Sequence, residues 1–135
     1  MAILLMTTVV TAGAQDASVA VVNIEKIFRG HPAFREVQQK LQDRKNEMRT
    51  ELKEMGKEKA KTRQKEMQQE LQKLQQKLVA KAAEEVKKDI GDIANKLGFE
   101  IVLNPAGIIT GKEELGAEDI TKDVLAEVKE KYDLN

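Results

Sequence analysis

The sequence predicts an α+β fold in which a small β-strand body carries a long antiparallel α-helical coiled-coil hairpin. Of the 135 residues, 34% are charged and only 3% are aromatic, which is typical of long solvated helices. Short apolar and β-branched runs, at 19–24 and 99–110, flank one long helical stretch. Three short strands and a small helix bury too little surface for a stable monomer, so we expect the body to be an oligomeric core shared between copies of the chain.

Residues 1–14 have the pattern of a secretory signal peptide. An apolar stretch from Ala2 to Val10 precedes Ala12-Gly13-Ala14, the small-x-small triplet that a signal peptidase accepts. The stretch is far shorter than the roughly 20 residues needed to span a bilayer. We therefore expect cleavage before Gln15 and export of a single chain, residues 15–135. A short N-terminal strand or tail is the alternative.

A helical pattern extends from about Glu25 to Leu97. Gly30-His31-Pro32 should interrupt it, because proline lacks an N–H and disfavours helix in the residue before it. Apolar residues at coiled-coil spacing then follow in two stretches: Phe34, Leu41, Met48, Leu52 and Met55, and later Met67, Leu71, Leu74 and Leu78. The segment 53–65 around Gly56 lacks this rhythm, which predicts a hairpin arm over 33–97 with its tip near Gly56–Arg63. One uninterrupted helix in a parallel coiled coil is the alternative, since one glycine costs only about 1 kcal/mol in a helix.

The body is assigned to residues 15–32 and 98–135. The expected elements are strands at 19–24, 99–103 and 108–110 and a helix at 119–132. Asp119 is expected to cap that last helix. The candidates for the oligomer core are the apolar residues of the three strands: Val19, Val21, Val22, Phe99, Ile101, Leu103, Ile108 and Ile109.

Charge is unevenly divided, although the whole chain has 23 basic and 23 acidic residues. Between Arg35 and Lys96 there are 17 basic and 12 acidic residues, a net charge of +5, and the segment 53–65 alone carries +4. A solvated helix face is the ordinary interpretation of such charges. The candidate binding residues are those near the expected tip: Met48, Leu52, Met55, Met67, Leu71, Lys57, Lys59, Lys61, Arg63 and Lys65. For the methionines and leucines, packing between the two arms is the alternative.

Composition excludes several classes of function. The chain has no cysteine and one histidine, which removes thiolate sites and most histidine-based metal sites and triads. It has no glycine-rich phosphate-binding motif, and its neutral balance disfavours nucleic acid as a partner. We therefore expect neither an enzyme nor a cofactor. His31 is interpreted as a helix cap or a surface residue, and Asp89 as one of several solvated helix carboxylates.

The order of these pieces resembles the Skp/OmpH family of periplasmic chaperones. The resemblance is carried by three segments: Val19-Ala20-Val21-Val22-Asn23 before Ile27-Phe28, Leu97-Gly98-Phe99-Glu100-Ile101-Val102-Leu103-Asn104, and Asp119-Ile120-Thr121 before Val124-Leu125. It implies a homotrimer with a β-rich body and three helical tentacles around a cavity. It also implies an ATP-independent holdase that binds unfolded outer-membrane proteins and prevents their aggregation.

The partners expected are therefore unfolded outer-membrane proteins and further copies of this chain. The basic arms would also attract anionic lipid or lipopolysaccharide, and such binding should weaken with salt. Two other interpretations of the same helices remain open. One is a structural coiled-coil protein of the envelope that holds no client, and the other is a prefoldin-like cytosolic holdase.

Overall fold

The computed structural model describes residues 18–104 and 116–134. In this part of the chain, helices predominate and the strands are short. The elements are β1 (Val19–Val21), α1 (Ile24–Gly30), α2 (Pro32–Lys53), α3 (Lys57–Lys96), β2 (Ile101–Leu103), β3 (Glu118–Asp119) and α4 (Thr121–Lys131). The predicted signal peptide and the predicted strand at 108–110 lie outside the described residues.

The three described strands form one sheet in the order β2-β1-β3, and both pairs are parallel. Val19 pairs with Ile101, and Ala20 pairs with Glu118. β1 is shorter than the predicted 19–24, because Asn23 caps the start of α1. The Asn23 side chain accepts a hydrogen bond of 3.0 Å from the Lys26 N–H, which is the usual action of an N-cap.

Two other predicted boundaries also shift. Gly98 ends α3 with φ +89°, and the Phe99 N–H then donates back to the Ala94 carbonyl at 2.9 Å, so β2 begins only at Ile101. The last helix begins at Thr121 rather than at Asp119, which lies in β3. The Asp119 carboxylate nevertheless accepts the Thr121 N–H at 3.0 Å, so it supplies a capping bond at this end of the helix.

The core lies where the sheet, α1 and α4 meet the base of α2 and α3. Its buried members are Ala20, Val22, Ile27, Ala33, Val37, Ala82, Val86, Ile90, Ile93, Ala94, Ile120, Val124 and Val128. Among the described residues, the cluster and the side chains packed on it include nothing from α2 beyond Leu41 and nothing from α3 before Leu78. The far half of both helices therefore extends away from the core.

The residues predicted for an oligomer core divide into four groups. Val21 and Val22 are already buried within one chain, at 1% and 3% exposure. Ile101 is 42% exposed on the edge strand β2. Val19, Phe99 and Leu103 are half-buried. Ile108 and Ile109 lie outside the described residues.

Candidate functional site: the helix pair and its base

The chain reverses direction between α2 and α3, which we call the helix pair. Residues 54–56 form the turn between them. Arg44 bonds to Glu70, and Glu51 bonds to Arg63, so residues later in α2 meet residues earlier in α3. The two helices therefore run antiparallel.

Four charged side chains link the helix pair near the turn. We call them the charge network; its members are Arg44, Glu51, Arg63 and Glu70. Arg44 Nη2 donates to Glu70 Oε2 at 3.1 Å, and Arg63 Nη2 donates to Glu51 Oε2 at 3.2 Å. Arg63 Nη1 also donates to Glu70 Oε1 at 2.7 Å. Hydrogen bonds to glutamates raise the pKa of Arg44 and of Arg63, and the bonds from Arg63 and Arg44 lower the pKa of Glu70, which favours the charged form of each of these three groups.

The charge network includes Arg63, one of the candidate basic residues near the expected tip. Its side chain is only 23% exposed and is engaged by three glutamates, including Glu66 at 3.3 Å. Nothing in the sequence pattern pairs Arg63 with Glu51, because the two residues lie on different helices.

The predicted apolar contacts are mostly inside the helix pair. Met48 and Met67 are each 3% exposed, so the alternative of packing between the arms describes them in this structure. Leu52 and Leu71 are half-buried. Met55, in the turn, is 38% exposed and is the predicted apolar residue with the most accessible side chain.

The predicted lysines lie exposed on the first turns of α3. They are Lys57, Lys59, Lys61 and Lys65, and the structure records no ion pair for any of them within the described residues. Lys57 and Lys59 lie in the first turn of α3, where positive charge opposes the helix dipole and so does not stabilise the helix. Helix stability therefore does not explain why so much basic charge is concentrated beside the turn.

A second polar cluster lies at the base of the helix pair. Asp89 of α3 is 3% exposed and accepts three hydrogen bonds, from His31 Nε2 at 2.9 Å, Lys131 Nζ at 2.6 Å and Tyr132 Oη at 2.6 Å. His31 is completely buried, and its Nδ1 accepts the Ala33 N–H at 3.1 Å. Since a backbone N–H can only donate, the ring proton of His31 lies on Nε2 and faces Asp89.

This cluster corrects the interpretation of Asp89 as a solvated carboxylate. Burial raises the pKa of Asp89, but the hydrogen bonds from Lys131, Tyr132 and His31 outweigh it and lower the pKa to about 2. His31 is confirmed as a cap, at the start of α2, but it is not a surface residue. The cluster joins the beginning of α2, the later part of α3 and the end of α4, so it fixes the helix pair to the body.

Acid should weaken the fold through Asp89. The pKa of Asp89 is about 2 in the folded chain, against an ordinary value of 3.8. The ionised carboxylate therefore stabilises the fold above pH 3.8, and this stabilisation is lost as the pH falls towards 2. The shift corresponds to roughly 2 kcal/mol. Urea unfolding followed by circular dichroism across this pH range measures it. An Asp89→Asn variant that keeps the same acid slope would contradict the assignment.

Comparison with known proteins adds the family. The family model described as outer membrane protein (OmpH-like) matches residues 56–128, more than half of the chain. The matched region contains α3, the strands β2 and β3 and most of α4. No curated protein matches the chain significantly. Within residues 18–104 and 116–134, no helix has the length and apolar character needed to cross a membrane.

Proposed function

Because the chain belongs to the OmpH-like family of outer membrane proteins, we propose that it is an ATP-independent periplasmic holdase. In this proposal it binds unfolded outer-membrane proteins, prevents their aggregation and has no enzymatic activity. The family supports a chaperone of outer-membrane proteins in general. The observation that carries the finer proposal is a helix pair whose far half lies outside the core. This half has the exposed Met55 in its turn and four exposed lysines on the first turns of α3.

Holding without a nucleotide requires contacts that are weak singly and sufficient together. An unfolded barrel strand exposes alternating apolar side chains and unpaired backbone groups, which aggregate by edge pairing. Several arms that each touch such a strand gain avidity through effective concentration, while every single contact stays easy to break. Release then needs only a more favourable destination, such as folding in the membrane.

The proposal includes a homotrimer in which the small sheet is the oligomeric core and each helix pair is a coiled-coil arm. Two features support it. Ile101 is 42% exposed on the edge strand β2, where a neighbouring copy can cover it. A three-stranded sheet with strands of two or three residues buries little surface by itself. The resemblance supplies the number of copies.

Location and charge complete the proposal. The signal-like pattern of residues 1–14 supports export to the periplasm. The basic start of α3 supports attraction of acidic clients and of anionic lipid or lipopolysaccharide. Such attraction acts over about 10 Å at 0.1 M salt and shortens as the salt concentration rises.

Shortening the arm tests the proposal. A variant in which a short glycine-rich turn replaces residues 45–69 should keep the body, since the core cluster has no member in that segment. The new turn connects Arg44 of α2 to Glu70 of α3, and these two residues already bond to each other across the helix pair. We expect it to lose most of its ability to suppress light scattering when an unfolded outer-membrane protein is diluted from urea.

The matched control keeps the full arm and replaces Lys57, Lys61 and Lys65 by glutamine. That control should still hold the client, with slower association at low salt. Circular dichroism and solution mass verify that every variant keeps its body. A shortened variant as effective as the full chain would show that the arm is not the holding part. A full chain that suppresses nothing would favour the structural scaffold.

A further inference from the structure

The charge network surrounds the level at which two methionines are buried. On α2, Met48 lies one turn after Arg44 and one turn before Glu51. On α3, Met67 lies in the same way between the two residues that bond to Arg44 and Glu51. The cross-helix bonds therefore bracket both methionines, and each methionine is only 3% exposed.

These two methionines are separate from the core. The core cluster has no member on α2 beyond Leu41 or on α3 before Leu78 among the described residues. The helices can therefore separate at the level of Met48 and Met67 without disturbing the packing of the body. Regions with few buried apolar contacts are those that open locally at low cost.

Each ion pair of the charge network is weak, because its side chains reach solvent. The exposed fractions of its side chains are 23% for Arg63, 31% for Arg44, 37% for Glu51 and 42% for Glu70. Ion pairs that reach solvent contribute about 0–1 kcal/mol each, and salt screens them. The closed state at this level therefore includes two cross-helix bonds, Arg44 to Glu70 and Arg63 to Glu51, that water and ions can replace.

We propose that the charge network is a latch over a concealed binding surface formed by Met48 and Met67. When the helix pair separates at this level, both methionines become available to an unfolded outer-membrane polypeptide. This occupant rests on the function proposed above. The flexible thioether side chain adapts to apolar partners of varied shape. Opening also frees Nη2 of Arg44 and Nη2 of Arg63, while the Nη1 atoms stay bonded to glutamates on their own helices. The surface therefore suits a segment that carries both apolar and acidic side chains.

The latch can be tested without any client. The double variant Glu51→Gln with Glu70→Gln removes the acidic half of the network. The control is Glu36→Gln with Glu84→Gln, which removes the same charge from the same two helices. The ion pairs of these two glutamates, with Lys40 and Lys87, each lie within one helix. Both variants and the unaltered chain are treated with dilute hydrogen peroxide, and mass spectrometry of their peptides gives the oxidation rate of each methionine.

Met55 is the internal reference, because it is 38% exposed in the same chain. In the unaltered chain and in the control, we expect Met48 and Met67 to oxidise more slowly than Met55. In the latch variant, we expect their rates relative to Met55 to rise about three- to tenfold. High salt should act in the same direction on the unaltered chain. Unchanged rates for both methionines in the latch variant would overturn the latch.

The binding surface is tested next with the same variants. The latch variant should suppress the aggregation of an unfolded outer-membrane protein at a lower concentration than the control does. Adding Met48→Ser and Met67→Ser to it should abolish that gain. Faster oxidation without any gain in suppression would overturn the binding surface. If the unaltered chain suppresses nothing, the proposed function and the binding surface both fail, while the oxidation rates still decide whether the latch exists.

Discussion

Replacing Asp89 with asparagine is expected to lower the free energy of unfolding by about 3 kcal/mol, because the donors that bond to the buried carboxylate lose their charged acceptor. The carboxylate accepts bonds from three donors on two other parts of the fold, His31, Lys131 and Tyr132. An asparagine offers one oxygen in place of two and turns an NH₂ group towards donors. Lys131 can turn to water, since its side chain is 50% exposed, but the Nε2–H of the buried His31 cannot.

The measurement is urea or thermal unfolding followed by far-ultraviolet circular dichroism. Asp92→Asn is the matched control, because Asp92 lies three residues further along α3 and is exposed. The control should stay within about 0.5 kcal/mol of the unaltered chain, as surface substitutions usually do. Equal stability of the two variants would mean that Asp89 does not fix the helix pair to the body.

Replacing His31 with alanine is expected to cost even more, about 4 kcal/mol, since a cavity and two lost hydrogen bonds add together. The ring is completely buried, and its centroid lies 5.1 Å from that of Tyr132. Its removal leaves the Ala33 N–H without its acceptor and Asp89 without one donor. Every buried side-chain nitrogen and oxygen in the described residues already has a hydrogen-bond partner. None of them can therefore replace the bonds of the ring without giving up a bond of its own.

His31→Asn separates the two roles of the ring. Asparagine is a good N-cap and can accept the Ala33 N–H, but it is too short to replace the bond to Asp89. Its stability should therefore lie about 1 kcal/mol above that of the alanine variant and well below that of the unaltered chain. The same unfolding measurement gives the order of the three proteins. An alanine variant as stable as the unaltered chain would contradict the role assigned to His31.

Features encoded by neighbouring residues could be predicted from the sequence. The interruption at Gly30-His31-Pro32 is present, because proline acts on its own backbone and on the residue before it. The end of α3 at Gly98 is likewise a local property of one residue with positive φ. The apolar spacing also located buried positions, such as Met48 and Met67, since one helix face repeats every three or four residues.

Features that depend on distant residues could not be predicted. β3 consists of Glu118 and Asp119, and two polar residues give no alternation that identifies a strand. Asp89 bonds to residues 58 and 42 positions away, and no local period relates them. The one available signal was a carboxylate beside Ile90 on the apolar face of α3, a place where a buried charge needs partners. The charge network was missed for the same reason, although each of its arginines and glutamates is visible in the sequence.

The position of β1 in the middle of the sheet determines the order in which the molecule can fold. Val19 pairs with Ile101, and Ala20 pairs with Glu118. When the chain emerges with its N-terminus first, β1 therefore stays unpaired until the last quarter of the sequence has emerged. The helix pair closes on a turn of three residues and needs no such wait. Once formed, it brings the two sides of the sheet together and lowers the entropy cost of joining them. We therefore expect the helix pair to form before the sheet to which it is attached.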